Sequence, residues 1–157
     1  MKKLILIFGW CFIVWPMAVS GQTSPNKNAW ETLLNDVKIK YVYSIKYGTY
    51  LPKPKFGKDL VQLEGKEITL KGFFLPVDIT GNIKVISYKP MEMCFFCTGS
   101  GIETIIEINT NEDYDYRFKR LKTDDYILIK GVLTLNKDDY EHLVYVLNNV
   151  ELVKVIK

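Results

Sequence analysis

Two hydrophobic periods follow one another along the chain. Trp30, Leu33, Leu34 and Val37 stand at i, i+3, i+4 and i+7, one apolar stripe of a helix. From Val37 the period becomes two. Val37, Ile39, Tyr41, Tyr43, Ile45 and Tyr47 alternate with Lys38, Lys40, Val42, Ser44 and Lys46, which predicts a strand with one wet face. Residues 48–58 contain Pro52 and Pro54 and read as a connector. Five strand-like runs come next. In 67–77, Ile68 and Leu70 alternate with Thr69 and Lys71, and Gly72 interrupts as a bulge or barrel bend would. The others are 83–88, 103–109, 126–135 with Gly131 inside it, and 142–156 with a bend expected near Asn148 and Asn149. Between the third and fourth runs, Tyr114, Phe118 and Leu121 share a helical face, so a short helix is expected there.

Five strands with a helix between the third and fourth match the order of an OB-type barrel, and the internal glycines suit strands bent around a small barrel. The fold predicted is mainly β: an OB-like five-stranded barrel over residues 63–157, with an N-terminal helix and strand extension and connector over 22–62. The alternative is an open antiparallel β-sandwich. Trp30 is expected to pack the extension onto the sheet.

Residues 1–21 stand outside that account. Lys2 and Lys3 precede a nearly unbroken apolar run from Leu4 to Val19, and Ala18, Val19, Ser20 and Gly21 supply small residues for cleavage. This is the pattern of a secretory signal peptide cut after Ser20 or Gly21. Its apolar run, broken by Pro16, is short for a spanning helix, and nothing later is long enough to span either. The second cut leaves residues 22–157, which are 136 residues of single-domain size. Residues 22–28 are polar and form a loose start.

The cut changes charge and cysteine content. The whole chain carries +3, but without Lys2 and Lys3 there are 19 basic against 18 acidic side chains. Near neutrality and export both argue against a nucleic-acid binder, which needs a basic face to neutralise phosphates. Cys11 leaves with the signal; Trp10 before it is too bulky for a lipid-attachment site. Two cysteines remain, Cys94 and Cys97.

Those two lie in the segment 88–101 between the second and third runs, which also holds Met91, Met93, Phe95, Phe96, Gly99 and Gly101. Three chemistries fit. One is a disulfide, the usual fate of two cysteines in an exported protein, although so short a loop stabilises little. Another is a metal half-site: Cys at i and i+3 with the soft thioethers of Met91 and Met93 suits Cu(I), or Zn if further ligands come from His142, Glu92, Glu103 or Glu107. The third is thiol redox chemistry, although Thr98-Gly99-Ser100-Gly101 followed by a strand lacks the helix that lowers a catalytic thiol's pKa. Haem attachment is excluded, because Thr98 stands where a histidine is needed. A connector this apolar is expected to be an ordered functional loop, capping the barrel or offering a patch to a partner.

Elsewhere the chemistry is thinner. His142, the single histidine, reads as a solvated turn residue beside carboxylates. Glu103 and Glu107 on one strand would stand about 13 Å apart, too far for two-carboxylate glycosidase work. Residues 111–113 are acidic but lack the glycine and spacing of a calcium loop. No serine has a nucleophile-elbow context and no glycine-rich loop matches a phosphate cradle. Lys38, Lys40 and Lys46 read as a wet strand face. Tyr41, Tyr43, Tyr47, Tyr50 and Tyr88 could form a binding surface, although aromatics of a small barrel are usually core.

Several segments together carry a resemblance. Trp30-x-x-Leu33, Pro54-x-Phe56, the run from Leu63 to Pro76, Cys94-Phe-Phe-Cys97 with Gly99, Gly101 and Glu103, and Leu135-Asn136 with Asp139 resemble a Bacteroidota family of exported proteins of unknown function. That family is in turn similar to a wider bacterial domain-of-unknown-function family with a Gly-x6-Gly-aromatic-x-x-Pro strand. The likeness spans nearly the whole mature chain and departs from the pattern at Thr98 and Ile102, where Gly and Pro are expected. It implies an OB-like fold and export, and no activity. The expected function is therefore a periplasmic OB-like binding or scaffold module with an envelope protein as partner. The alternatives are a Cu- or Zn-handling protein and a thiol–disulfide redox protein, both acting through Cys94 and Cys97.

Overall fold

The computed structural model describes residues 29–77, 83–91 and 101–156. Helix α1 (Ala29–Asn35) leads into a ribbon of β1 (Val37–Ser44) and β2 (Thr49–Phe56), and α2 (Lys58–Leu63) then delivers the chain to the barrel. The barrel strands are β3 (Glu67–Pro76), β4 (Lys84–Ser87), β5 (Ile105–Thr110), β6 (Tyr126–Leu135) and β7 (Tyr145–Val155). A 3-10 turn (Ile102–Thr104) precedes β5, and α3 (Glu112–Phe118) lies between β5 and β6.

The barrel closes in the order β3-β4-β5-β7-β6, with β6 returning to β3. Every pairing is antiparallel except β5 with β7. That closed, mixed order, with α3 between the third and fourth barrel strands, is consistent with the OB-like expectation. It replaces the open antiparallel sandwich, which would leave each sheet with free edges and no parallel pair. Alternation along β6 explains the closure: Ile127, Ile129, Gly131, Leu133 and Leu135 are buried while the residues between them are not.

Two glycines set the curvature. β3 pairs with β6 over Glu67–Phe73 and with β4 over Phe73–Pro76, so it bends at Gly72 with no break in register. A Cβ on Gly72 would stand 2.6 Å from the Ser87 carbonyl oxygen and 2.7 Å from Ile86 Cγ1. At Gly131 a Cβ would come within 2.9 Å of Val150 Cγ2, and the β6–β7 register shifts there, between Lys130 and Val132. Opposite, Asn149 takes a positive φ of 53°, which realises the expected bend in the last strand.

The extension shares the barrel's core. Trp30, Leu33 and Leu60 are buried in one cluster with Ile68, Phe74 and Leu133. Trp30 Nε1 donates to the Lys71 carbonyl at 2.7 Å, and the buried Tyr145 hydroxyl donates to the Leu33 carbonyl at 2.7 Å. Burial pushes the Tyr145 phenol well above its ordinary pKa, so it stays a donor.

Three sequence expectations are corrected. Residues 48–58 are not a simple connector: 49–56 form β2, paired with β1 from Val37↔Phe56 to Ser44↔Thr49. Pro52 and Pro54 are two apart, so both missing N–H groups fall on one edge of a ribbon whose outer edges are open. The third and fifth barrel strands begin at Ile105 and Tyr145, later than periodicity indicates, because a 3-10 turn and a side-chain-bonded loop occupy their expected starts. Tyr41, Tyr43, Tyr47 and Tyr50 are exposed on the ribbon and are not core.

Candidate functional site

β5, β7 and β6 run side by side and turn Asn109, Asn148 and Thr134 to the outside of the barrel. The three side chains bond in series. Asn109 Nδ2 donates to Asn148 Oδ1 at 3.0 Å, and Asn148 Nδ2 donates to Thr134 Oγ1 at 3.0 Å. Each group is thereby held in one orientation on a rigid strand.

The β6–β7 loop, residues 136–144, overhangs this row. Asn136 organises it: its amide donates to the carbonyls of Asp139, His142 and Leu143, and its Oδ1 accepts from the Asp139 N–H. Glu107, facing out from β5, ties the loop to the sheet. One carboxylate oxygen pairs with His142 Nδ1 at 2.8 Å and the other accepts the Leu143 N–H at 3.1 Å. The bond to Glu107 raises the His142 pKa above its ordinary 6.5. The pair therefore supports the loop fully below pH 6.5, and its contribution is lost as pH rises through the raised value.

Loop and sheet together enclose an open groove of about 280 Å³, with Leu135 and Val146 at its base and Asn109, Thr134, Asp139, His142 and Asn148 on its walls. Among the described residues no partner is taken by Asn109 Oδ1, His142 Nε2 or the Thr134 hydroxyl proton. The groove thus offers fixed donors and acceptors above a small apolar base, the arrangement of a recognition surface.

A second polar cluster fixes α3. Lys84, buried on β4, meets Asp115 at 3.1 Å; Lys119 meets the same carboxylate at 2.9 Å and Thr110 donates to it at 2.8 Å. Bonds from Lys119, Thr110 and Lys84 hold the Asp115 carboxyl far below the usual carboxylate range.

Of the sequence-predicted connector site, Met91 alone falls among the described residues. Met91 is half-exposed, and its N–H donates to Asp124 Oδ1 at 2.7 Å. Met93, Cys94 and Cys97 lie outside the described residues, and with them the expected disulfide and the Cu or Zn ligand set. Among the described residues no three His, Cys, Asp or Glu side chains converge on a metal position. Glu103 sits in the 3-10 turn and Glu107 on β5, so they do not form a strand-borne pair. His142 is the exposed turn residue expected, but it is paired with Glu107, which sequence spacing does not reveal.

No protein-family model matches the chain, and no curated protein matches it at a significant level. The resemblance carried by the Cys94 motif thus has no support from a family model.

Proposed function

We propose that this chain is an exported OB-like binding module that takes an envelope partner on the face formed by Thr134, Asn148, Asn109 and His142. The observation that supports this most is the side-chain relay across β6, β7 and β5, because it fixes outward polar atoms in advance of any ligand. The groove lies on the third barrel strand and the loop between the fourth and fifth, a region through which OB barrels bind. Export rests on Lys2, Lys3, the Leu4 to Val19 run and the small residues after it.

A photo-crosslinking residue placed at Thr134 in the producing cell tests the binding face, with the exposed Tyr116 on α3 as control position. The expected result is one envelope adduct from position 134 and none from 116, lost when Asn109→Ala and His142→Ala are combined. Equal labelling from both positions, or none from 134, refutes the reading. N-terminal sequencing should find Gly21 or Gln22 first; intact Met1 on a cytosolic protein refutes export.

A further inference from the structure

The β1–β2 ribbon carries a graded surface that the groove does not explain. Its turn, residues 45–48, is closed by Gly48 N–H donating to the Ser44 carbonyl; it presents Ile45 with 92% of its surface exposed and, beside it, Lys46, whose ammonium lies 4.9 Å from the centre of the Tyr47 ring. Behind the Ser44–Thr49 rung come the paired Tyr43 and Tyr50, whose rings meet edge-on at 5.4 Å, then Val42 beside Leu51 and Tyr41 beside Pro52. Behind these stand Lys40 opposite Lys53 and Lys38 opposite Lys55. Like charges placed directly across a ladder destabilise it. Among the described residues the only carboxylate within 4.0 Å of these four lysines is Asp138, 3.7 Å from Lys53.

A tip led by Ile45 and Tyr47, an aromatic band and a basic collar follow the order of a membrane interface, with Lys46 the one charge at the tip and long enough in the stem to reach back towards the phosphates. Acyl chains take apolar side chains, tyrosine rings sit at the headgroup level, and lysines meet anionic lipid phosphates. The dimensions agree. Tyr43 and Lys40 are three residues apart, about 10 Å of strand, and a headgroup layer is about 5–8 Å deep. The lysine stem spans the difference by snorkelling. Tyr47 stacks edge-on against Tyr140 of the β6–β7 loop at 6.0 Å, which braces the tip against the barrel.

We infer that the ribbon is a docking device for an anionic lipid bilayer, with Ile45 and the tyrosines entering the headgroup region tip first and Lys40 and Lys53 on the phosphates. Binding that uses only charge would not need an exposed Ile45 ahead of the paired lysines, which disfavours an acidic protein or polysaccharide. A second copy is disfavoured too, because it would bring four more lysines against these four.

Co-sedimentation with vesicles tests this, using protein as purified, parent and variants sharing one N-terminus. Parent should bind vesicles containing 30 mol% anionic phospholipid and lose at least tenfold in affinity on purely zwitterionic ones. Lys40→Gln with Lys53→Gln should weaken binding about 30-fold, and the loss should shrink at high salt. Ile45→Asp should weaken it about tenfold while circular dichroism and melting stay as in the parent. In Ile45→Trp, the added indole emission should shift to the blue on anionic vesicles and be quenched by brominated lipid. If that added emission does not shift, the proposal is overturned even where vesicles are bound. It is equally overturned by binding indifferent to both sets of variants, by capture on soluble acidic polysaccharide with no vesicle binding, or by concentration-dependent dimerisation that Ile45→Asp abolishes.

Discussion

β6 and β1 have the same kind of sequence and opposite fates. Both carry apolar residues at every second position: Val37, Ile39, Tyr41 and Tyr43 in β1, and Ile127, Ile129, Leu133 and Leu135 in β6. In β6, Ile127, Ile129 and Leu133 are fully buried inside the barrel. In β1, Val37 reaches the core cluster, but Tyr41 and Tyr43 on the same face are more than half exposed. Alternation reports that a strand has an apolar face. It does not report that anything covers that face. Cover depends on a second layer, which β6 receives from the rest of its own barrel and the outer half of β1 does not receive from the described chain.

The largest expected effect tests that contrast directly. Ile129→Ala removes three buried carbons from a closed core, and it should cost about 2–4 kcal/mol in chemical denaturation. Tyr43→Ser removes a larger side chain from β1 and should cost below about 1 kcal/mol, mostly the edge-on contact with Tyr50. Equal losses in the two variants would mean that the ribbon face is covered after all, and the comparison would fail.

Charge separates the two regions in the same way. On the barrel, buried Lys84 is matched by Asp115, which also binds Lys119 and Thr110. On the ribbon, lysines face lysines. Asp115→Asn should therefore destabilise by about 2–3 kcal/mol, since it leaves a buried ammonium without its counter-charge. The sign with pH follows from a folded pKa held below the ordinary 3.8. The carboxylate's contribution is complete above that value and is lost as pH falls below it. Parent stability should thus fall in acid by more than that of Asp115→Asn, and melting measured between neutral pH and about pH 3 would show the gap closing.

These features are unequally legible in the sequence. The barrel strands and α3 can be read because each needs only its own period: every second residue in β6, and Tyr114 and Phe118 on one face of α3. β2 cannot, because Pro52 and Pro54 read as breakers; in a two-stranded ribbon with open edges a missing donor costs no ladder bond. The groove is less legible still. Glu107 and His142 are 35 residues apart, and Asn109 and Asn148 are 39 apart. What joins both pairs is the parallel β5–β7 register, a property of the closed barrel that no local pattern announces. Asn136 and Asp139 stand out in the sequence only as part of a motif, and their task proves to be folding the loop over that register.

The smallest effect is the most informative about the ribbon, because its sign runs against expectation. Most substitutions destabilise a protein. Lys40→Glu should stabilise this one, by roughly 0.5 kcal/mol, since it turns the like-charged pair with Lys53 into an opposite one across the same rungs. Lys40 is exposed, so no packing is lost. The gain should shrink in 1 M salt, where the screening length falls to about 3 Å. Urea denaturation of parent and variant at low and high salt measures both parts. If Lys40→Glu instead lowers stability at low salt, the lysine pair is held by an interaction within the folded chain, and its retention needs no external anion. If stability rises as expected while vesicle binding falls, the ribbon carries a charge arrangement that is unfavourable to its own fold and useful only against a partner.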